Sequence, residues 1–438
     1  MRSQLFGLAV ALALADSSIV TLALPDIRTQ FDVGITTVAW VLTSFNLVLA
    51  LVAVPAAYAA RRRPQRAFAA GTFVFVASSL ACGFATSFAM LVAARSVQAI
   101  GAALVATAAL GLLSATSREG RAVHIWVTAG VIGAALGPAV GGILTQLVGW
   151  EAIFFVQVPI ALLPLAALRT AVVVPQAHGA GLPRITPNVA LLLLSGSLVA
   201  ALFLIVLLLV EGWGTPPAAA GLVVTVMPSA AAVTAWRTPS SSPIGIRIAS
   251  GAVLIAGGLA ALALLPHAGW VWTIPPQVLI GVGIGLALAA LTERAVGGAA
   301  EQVVHGGWTL AARHAGVVLG LLLLAPILAT ALERNKEAAV RAGAAEVLDS
   351  RIPPLDKLGL AQDILGEIDR AKREGTLPKI GAAFRDRPST DEYRTLRSGL
   401  QDELDRAVTN AFSRPFLLAT ALALAALLPL ALGRWERS

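Results

Sequence analysis

Apolar runs of about twenty residues recur along this chain twelve times, and no other feature constrains its fold as strongly. A bilayer hydrocarbon core about 30 Å thick is crossed by roughly 20 residues of α-helix. Measured that way, the expected spans are 4–24, 37–59, 67–87, 89–114, 122–147, 151–170, 189–212, 217–236, 247–266, 271–292, 305–332 and 414–433. The runs are too long to be barrel strands and lack their alternation. Composition agrees: 57% of the residues are hydrophobic and 13% charged, about half the charge of a soluble domain.

The net charge of +8 raises the question of nucleic acid, and its distribution answers it. Residues 333–412 hold 14 basic and 15 acidic side chains, so the remainder carries the whole excess. That excess falls in short breaks between apolar runs: Arg2, the cluster Arg61, Arg62, Arg63 and Arg66, then Arg118, Arg121, Arg169, Arg184, Arg237, Arg247, Arg294, Arg434 and Arg437. All lie on one side of the expected topology, and the opposite short loops offer little beyond Arg28. Arginine gathers on the cytoplasmic side, so both termini are expected in the cytoplasm and no nucleic-acid partner is expected. The N-terminal run has an aspartate in its middle and no small-residue cleavage site, which reads as a retained first helix. An Ala-, Gly- and Arg-rich composition with four lysines suggests a GC-rich bacterium, hence a bacterial inner membrane.

Two segments interrupt the pattern. Residues 171–188, rich in Pro and Gly, read as a cytoplasmic linker between residues 1–170, a six-helix bundle, and helices 7–11 over 189–332. Residues 333–412 fall outside by helix count, before the last helix and tail at 413–438. They read as a small extracytoplasmic helical cap. Leu396, Leu400, Leu404 and Val408 form one apolar stripe, Leu358, Ala361, Leu365 and Ile368 another, and Ser389 with Glu392 a capping box. The stripes need cover from each other, from a lipid or from an extracytoplasmic protein partner.

Several local patterns point further. Residues 130–144 read GVIGAALGPAVGGIL, placing Gly133, Gly137, Gly141 and Gly142 where they clear a helix face, with Pro138 permitting a bend. This resembles the antiporter signature in helix 5 of the major facilitator superfamily. LADSSIVTLALP (14–25), WVLTSFNL (40–47), LVAARSVQAIGAA (91–103), WEAIFFVQVPI (150–160), GWGTPPAAAGLVVTVMPSA (212–230) and VLIGVGIGLAL (278–288) resemble segments of its drug:proton antiporters with fourteen helices. The resemblance covers all but 333–412. It implies an all-α polytopic protein of the major facilitator fold, about 12 transmembrane helices in two six-helix halves. It also implies a proton-driven exporter of hydrophobic or amphipathic molecules, acting without a cofactor and as a monomer. The chain departs from the branch in its helix number and in AAYAARRRPQR (56–66). There Ala56 and Ala60 replace the Gly and Asp of the loop signature, and Arg61, Arg62 and Arg63 remain as gate residues.

An ionisable side chain inside a bilayer is costly and by default functional. Asp16 in helix 1 and Arg95 in helix 4, which the resemblance implies lie side by side, are the expected proton-coupling pair, because burial disfavours a charged carboxylate and a guanidinium restores it. His314 is a second proton-site candidate, since imidazole titrates near neutral pH. Arg313, Asn46, Gln98, Gln157, Gln277 and Trp308 are candidate cavity residues, the amides equally suited to hydrogen bonds between helices. Trp150, Trp213, Trp270 and Trp272 fit an aromatic belt. No GxxxxGK[ST], HExxH or CxxC sequence occurs, so neither direct ATP drive nor enzyme chemistry is expected. Two alternatives stand beside drug export: export of a lipid or glycolipid assisted by 333–412, and a non-transporting receptor or scaffold.

Overall fold

A computed structural model describes residues 2–116, 121–170, 182–238, 242–265, 269–299, 301–374, 380–388 and 390–432. The helices are α1 (Arg2–Thr21), α2 (Leu24–Gln30), α3 (Ile35–Val38), α4 (Trp40–Arg62), α5 (Pro64–Gly83), α6 (Phe88–Thr116), α7 (Arg121–Leu147), α8 (Glu151–Leu162) and α9 (Ile185–Leu207). They continue as α10 (Pro217–Arg237), α11 (Ile244–Ala263), α12 (Ile274–Val296), α13 (Gln302–Asp349), α14 (Pro354–Glu374), α15 (Ile380–Ala383), α16 (Asp391–Ala425) and α17 (Leu427–Leu432). Among the described residues, twelve helical segments are long and apolar enough to cross a membrane, and no strand occurs.

Local chemistry sets several boundaries. Arg63 precedes a proline and leaves helical geometry (φ −144°, ψ 68°), which stops α4 and lets Pro64 open α5 at the position where its missing N–H costs nothing. At the far end of α9 the backbone widens to π-type bonding over Leu208–Gly212, with Trp213 N donating to Leu208 O at 2.8 Å. Helix α9 begins at Ile185, inside the expected linker. Residues 171–181 of that linker, and Ser389 of the expected capping box, lie outside the described residues.

The two halves repeat one packing scheme. In the first, α1 packs on α7, α4 on α6, and α5 on α6. In the second, α9 packs on α13, α10 on α12, and α11 on α12. Lipid tails are as apolar as leucine, so helices in a membrane associate through close van der Waals packing, and small residues permit it. A Cβ on Gly133 would meet the Ala11 backbone and one on Gly141 the Ile19 backbone, so α7 seats on α1 only as glycine. The outer faces carry exposed Leu51, Phe73, Leu136, Val253 and Leu428, a surface suited to acyl chains.

The halves meet along α4–α13 and α7–α10. Residues beyond the eleventh span are helical: α13 runs past the apolar stretch to Asp349, and α14, α15 and the first part of α16 follow. Val347, Ile352, Leu360, Ile380, Ala383, Phe384, Tyr393, Leu396 and Leu400 form a separate small core there. The α16 stripe packs as its spacing suggests. The α14 stripe does not: Leu358 and Leu365 are exposed, and the buried face runs through Leu360 and Ile364, rotated around the helix. Trp150 is likewise no belt residue. It is 2% exposed, its Nε1 donates to Gln30 Oε1 at 2.6 Å, and its ring meets Phe31 and Phe154 edge-on. Trp270 and Trp272, in contrast, are exposed.

Candidate functional site

Asp16 lies one turn short of the end of α1, fully buried, and its carboxylate is held from two sides. Arg95 of α6 donates from Nη1 to Oδ2, and Gln157 of α8 donates from Nε2 to Oδ1 at 3.0 Å. Both charged side chains are 0% exposed, so an uncompensated charge here would cost several kcal/mol. Arg95 has other acceptors: Gln98 Oε1 at 2.6 Å and the Val41 carbonyl at 3.3 Å. Its guanidinium also lies 4.3 Å above the Phe45 ring, a favourable cation–π distance. Gln98 Nε2 donates to Ser79 Oγ at 2.8 Å and to Gln157 Oε1 at 3.1 Å, and the Cys82 thiol faces Gln98 Oε1 at 3.8 Å. Five helices of the first half thus close on one ion pair. Beside Asp16 the guanidinium thus also contacts Gln98, Val41 and Phe45, while its Nη2 is buried with no hydrogen-bond partner among the described residues.

A second polar contact leads from this pair to the other half. Asn46 Nδ2 donates to the Leu42 carbonyl at 2.7 Å and to Ser17 Oγ at 3.3 Å, beside Asp16. With its amide nitrogen spent, Asn46 presents Oδ1 as an acceptor, and His314 Nδ1 of α13 lies 2.6 Å away, assigning the donor tautomer to that nitrogen. Arg313, next to His314, has no ion-pair partner among the described residues. Trp308 Nε1 and Thr309 Oγ1 are buried without hydrogen-bond partners among the described residues. Gln277 does not join this group: it is fully buried on α12 and donates to Thr273 Oγ1 one turn away at 3.0 Å.

The halves touch at both ends as well as in the middle. At the arginine-rich end, Arg61 Nη1 donates to both carboxylate oxygens of Glu301, at 2.8 and 2.9 Å, while its guanidinium lies 5.2 Å from the Tyr58 ring centroid. Ser114 Oγ donates to Gln302 Oε1 at 3.1 Å beside it. Arg62 and Arg63 are exposed. Glu301, 2% exposed and supplied by the opposite half, gives Arg61 the carboxylate that the loop at 56–66 lacks. At the other end Arg28 Nε pairs with Glu211 Oε1 at 2.8 Å, and the Ala218 amide donates to Gln146 Oε1 at 3.0 Å. There Gly142 and Gly221 bring α7 against α10: an added Cβ would run into the Pro217 backbone in one case and the Pro138 backbone in the other. The glycine-rich helix therefore packs on α1 through one face and on the opposite half through another. Ser79, Cys82 and Glu301 were not singled out from sequence, and Arg28 stood out only as the basic residue of the opposite loops, with no pairing to Glu211 foreseen. Glu301 carried a signal as well, as a carboxylate directly before an apolar span.

Two pseudo-equivalent helical halves, clasped to each other at both ends and with a buried charge pair inside the first, define a polytopic membrane protein built on an internal repeat. Residues 6–332 match the Major Facilitator Superfamily, and the chain belongs to it. Over 164 residues it is 38% identical to the multidrug resistance protein Stp of Mycobacterium tuberculosis, covering 36% of this chain and 30% of that one. It is 34% identical to the tetracenomycin C resistance and export protein of Streptomyces glaucescens over 211 residues, or 47% of this chain and 38% of the relative. The cephamycin export protein CmcT of Amycolatopsis lactamdurans is 30% identical over 53% of this chain and 49% of its own. The chain thus spans about a third to a half of the length of these relatives. The fold is also that of a bacterial homologue of the human lysosomal transporter Spinster in an inward-facing, occupied conformation, with a TM-score of 0.67 at 15% identity, covering 100% of this chain and 98% of that one.

Proposed function

We propose that this chain is a proton-coupled exporter of hydrophobic or amphipathic small molecules, seated in a bacterial inner membrane with both termini cytoplasmic. The observation that carries the reading is the buried Asp16–Arg95 pair, whose guanidinium holds fallback partners. Protonation of Asp16 breaks the pair and loosens α1 against α6. Asn46 and His314 lie on the short polar route from there to the second half. Opening one end costs the Arg61–Glu301 pair and opening the other costs Arg28–Glu211, which suits alternating access. Arg313 and Trp308 offer the substrate a cation and an unmet donor. The export and resistance functions named for the relatives support the direction. No ATP or bound cofactor enters this scheme, and no enzymatic step.

Purified protein in proteoliposomes tests it. An imposed proton gradient should drive uptake of a lipophilic dye into inside-out vesicles, and Asp16→Asn should abolish the gradient dependence. Gradient-driven transport at the wild-type rate by Asp16→Asn would overturn the assignment.

A second reading, export of a lipid or glycolipid aided by residues 333–412, is favoured by one observation. That segment leaves Leu348, Leu355, Leu358 and Leu365 exposed, between 53% and 87%. Placed on the extracytoplasmic side, this apolar surface would receive an acyl chain or a protein partner. Removing 333–412 should then spare dye transport and reduce lipid export.

A further inference from the structure

Where α13 and α16 emerge from their apolar stretches, a cleft of about 290 Å³ opens between them, lined by Ala331, Arg334 and Asn335 on one helix and Asn410 and Arg414 on the other. The spacings, three and four residues on α13 and four on α16, put each set on a single helix face. Two guanidiniums and two carboxamides thus share one small space without a carboxylate among its lining residues. Nearby, Arg370, Arg387, Arg394 and Arg406 each hold an aspartate or glutamate, but neither Arg334 nor Arg414 has an ion-pair partner among the described residues. Like charges brought together repel, and an anion relieves the repulsion. Asn335 Nδ2 donates to the Ala331 carbonyl at 2.8 Å, which fixes that carboxamide at the cleft wall.

Position adds to the chemistry. Arg414 immediately precedes the apolar run 415–432, and Arg334 closes the one that ends α13's membrane-spanning part, so both sit at the level of lipid headgroups. Toward the membrane the same faces turn apolar and exposed: Ile327 and Leu323 lie one and two turns before Ala331, and Leu417 one turn after Arg414. Charge above and a bare aliphatic surface below match an amphiphile's shape.

We infer that this cleft binds a phosphate group, with Arg334 and Arg414 gripping its oxygens and the carboxamides of Asn335 and Asn410 donating beside them. Guanidinium and phosphate form paired, charge-assisted hydrogen bonds. The exposed Ile327 and Leu417 favour a phospholipid headgroup over free phosphate as the source. The site is separate from the Asp16–Arg95 pair and does not depend on its role.

Native mass spectrometry of the full-length chain in detergent, titrated in parallel with phosphatidylglycerol and with inorganic phosphate, tests this. The variants are Arg334→Gln/Arg414→Gln and the charge-preserving Arg334→Lys/Arg414→Lys, with Arg237→Gln as a control. Phosphatidylglycerol should bind the wild type, and the double glutamine variant should lose at least about tenfold in affinity, since each bond to a charged group is worth ~1.5 kcal/mol or more. The lysine variant should retain part of it, which separates loss of charge from loss of fold. A loss confined to the inorganic phosphate arm would assign the cleft to a soluble phosphate. Unchanged binding of both ligands by the glutamine variant overturns the inference.

Discussion

Breaking the Arg61–Glu301 pair should open the arginine-rich end of the protein. Glu301 is 2% exposed and Arg61 18%, and two bonds of 2.8 and 2.9 Å join them across the halves. An exposed pair is worth at most ~1 kcal/mol, and removing one partner of a fully buried pair costs ~3–5. This half-shielded pair, in which one guanidinium nitrogen reaches both carboxylate oxygens, falls between, at ~2–3 kcal/mol, a shift of about 30- to 150-fold in the equilibrium between closed and open ends. Val303 reads the change, because it is 1% exposed and packs against Gly111 of the opposite half. A cysteine at Val303 should be alkylated by an impermeant maleimide in inside-out vesicles faster by that factor in Glu301→Gln, with fully buried Cys82 as the background. The charge swap Arg61→Glu/Glu301→Arg should restore slow labelling. Rates within twofold of wild type for Glu301→Gln, or no restoration by the swap, would mean that this pair does not hold the end closed.

At the other end, Gly142→Val puts a side chain where the Pro217 backbone lies, so labelling from the extracytoplasmic side should rise and transport should fall. An unchanged labelling rate would mean that α7 and α10 can part without cost. In the polar route, Asn46→Ala and Asp16→Asn should be strongly non-additive in a double-mutant cycle on transport, and additive effects would disconnect Asn46 from the ion pair. Asp26, between the first two spans, has its carboxyl raised above the ordinary 3.8 by burial and by the nearby Glu151. A raised folded value means that stability is lost as pH climbs through it. Asp26→Asn should therefore melt higher than wild type at pH 7, with the advantage shrinking as pH falls toward 3.8. An advantage that is constant with pH would point to packing instead.

Helix positions were legible because the bilayer imposes one length on every span, and Asp16 and Arg95 because charge inside such a span is rare. Their partnership was also legible, through a resemblance that places helices 1 and 4 side by side. What escaped was the pairing between halves. Arg61 and Glu301 are 240 positions apart and Arg28 and Glu211 183, and no periodicity within a helix encodes which distant end will face it. Ser79 and Cys82 escaped for a related reason. Small polar residues satisfy their own helix as readily as a neighbour, and only packing shows that Ser79 accepts from Gln98. On α14 the spacing suggested the stripe through Leu358 and Leu365, but burial chose Leu360 and Ile364 because the helix packs against α13 and α15. Gln277 looked like its fellow amides in sequence, but on α12 it bonds one turn back instead of joining them.

In the proposed cycle, protonation of Asp16 drives export. Efflux of a lipophilic cationic dye from cells expressing wild type or Asp16→Asn at matched levels, with and without a protonophore, measures that dependence. Wild type should expel the dye, and both the substitution and the protonophore should abolish that efflux. Protonophore-sensitive efflux that persists undiminished in Asp16→Asn would contradict it.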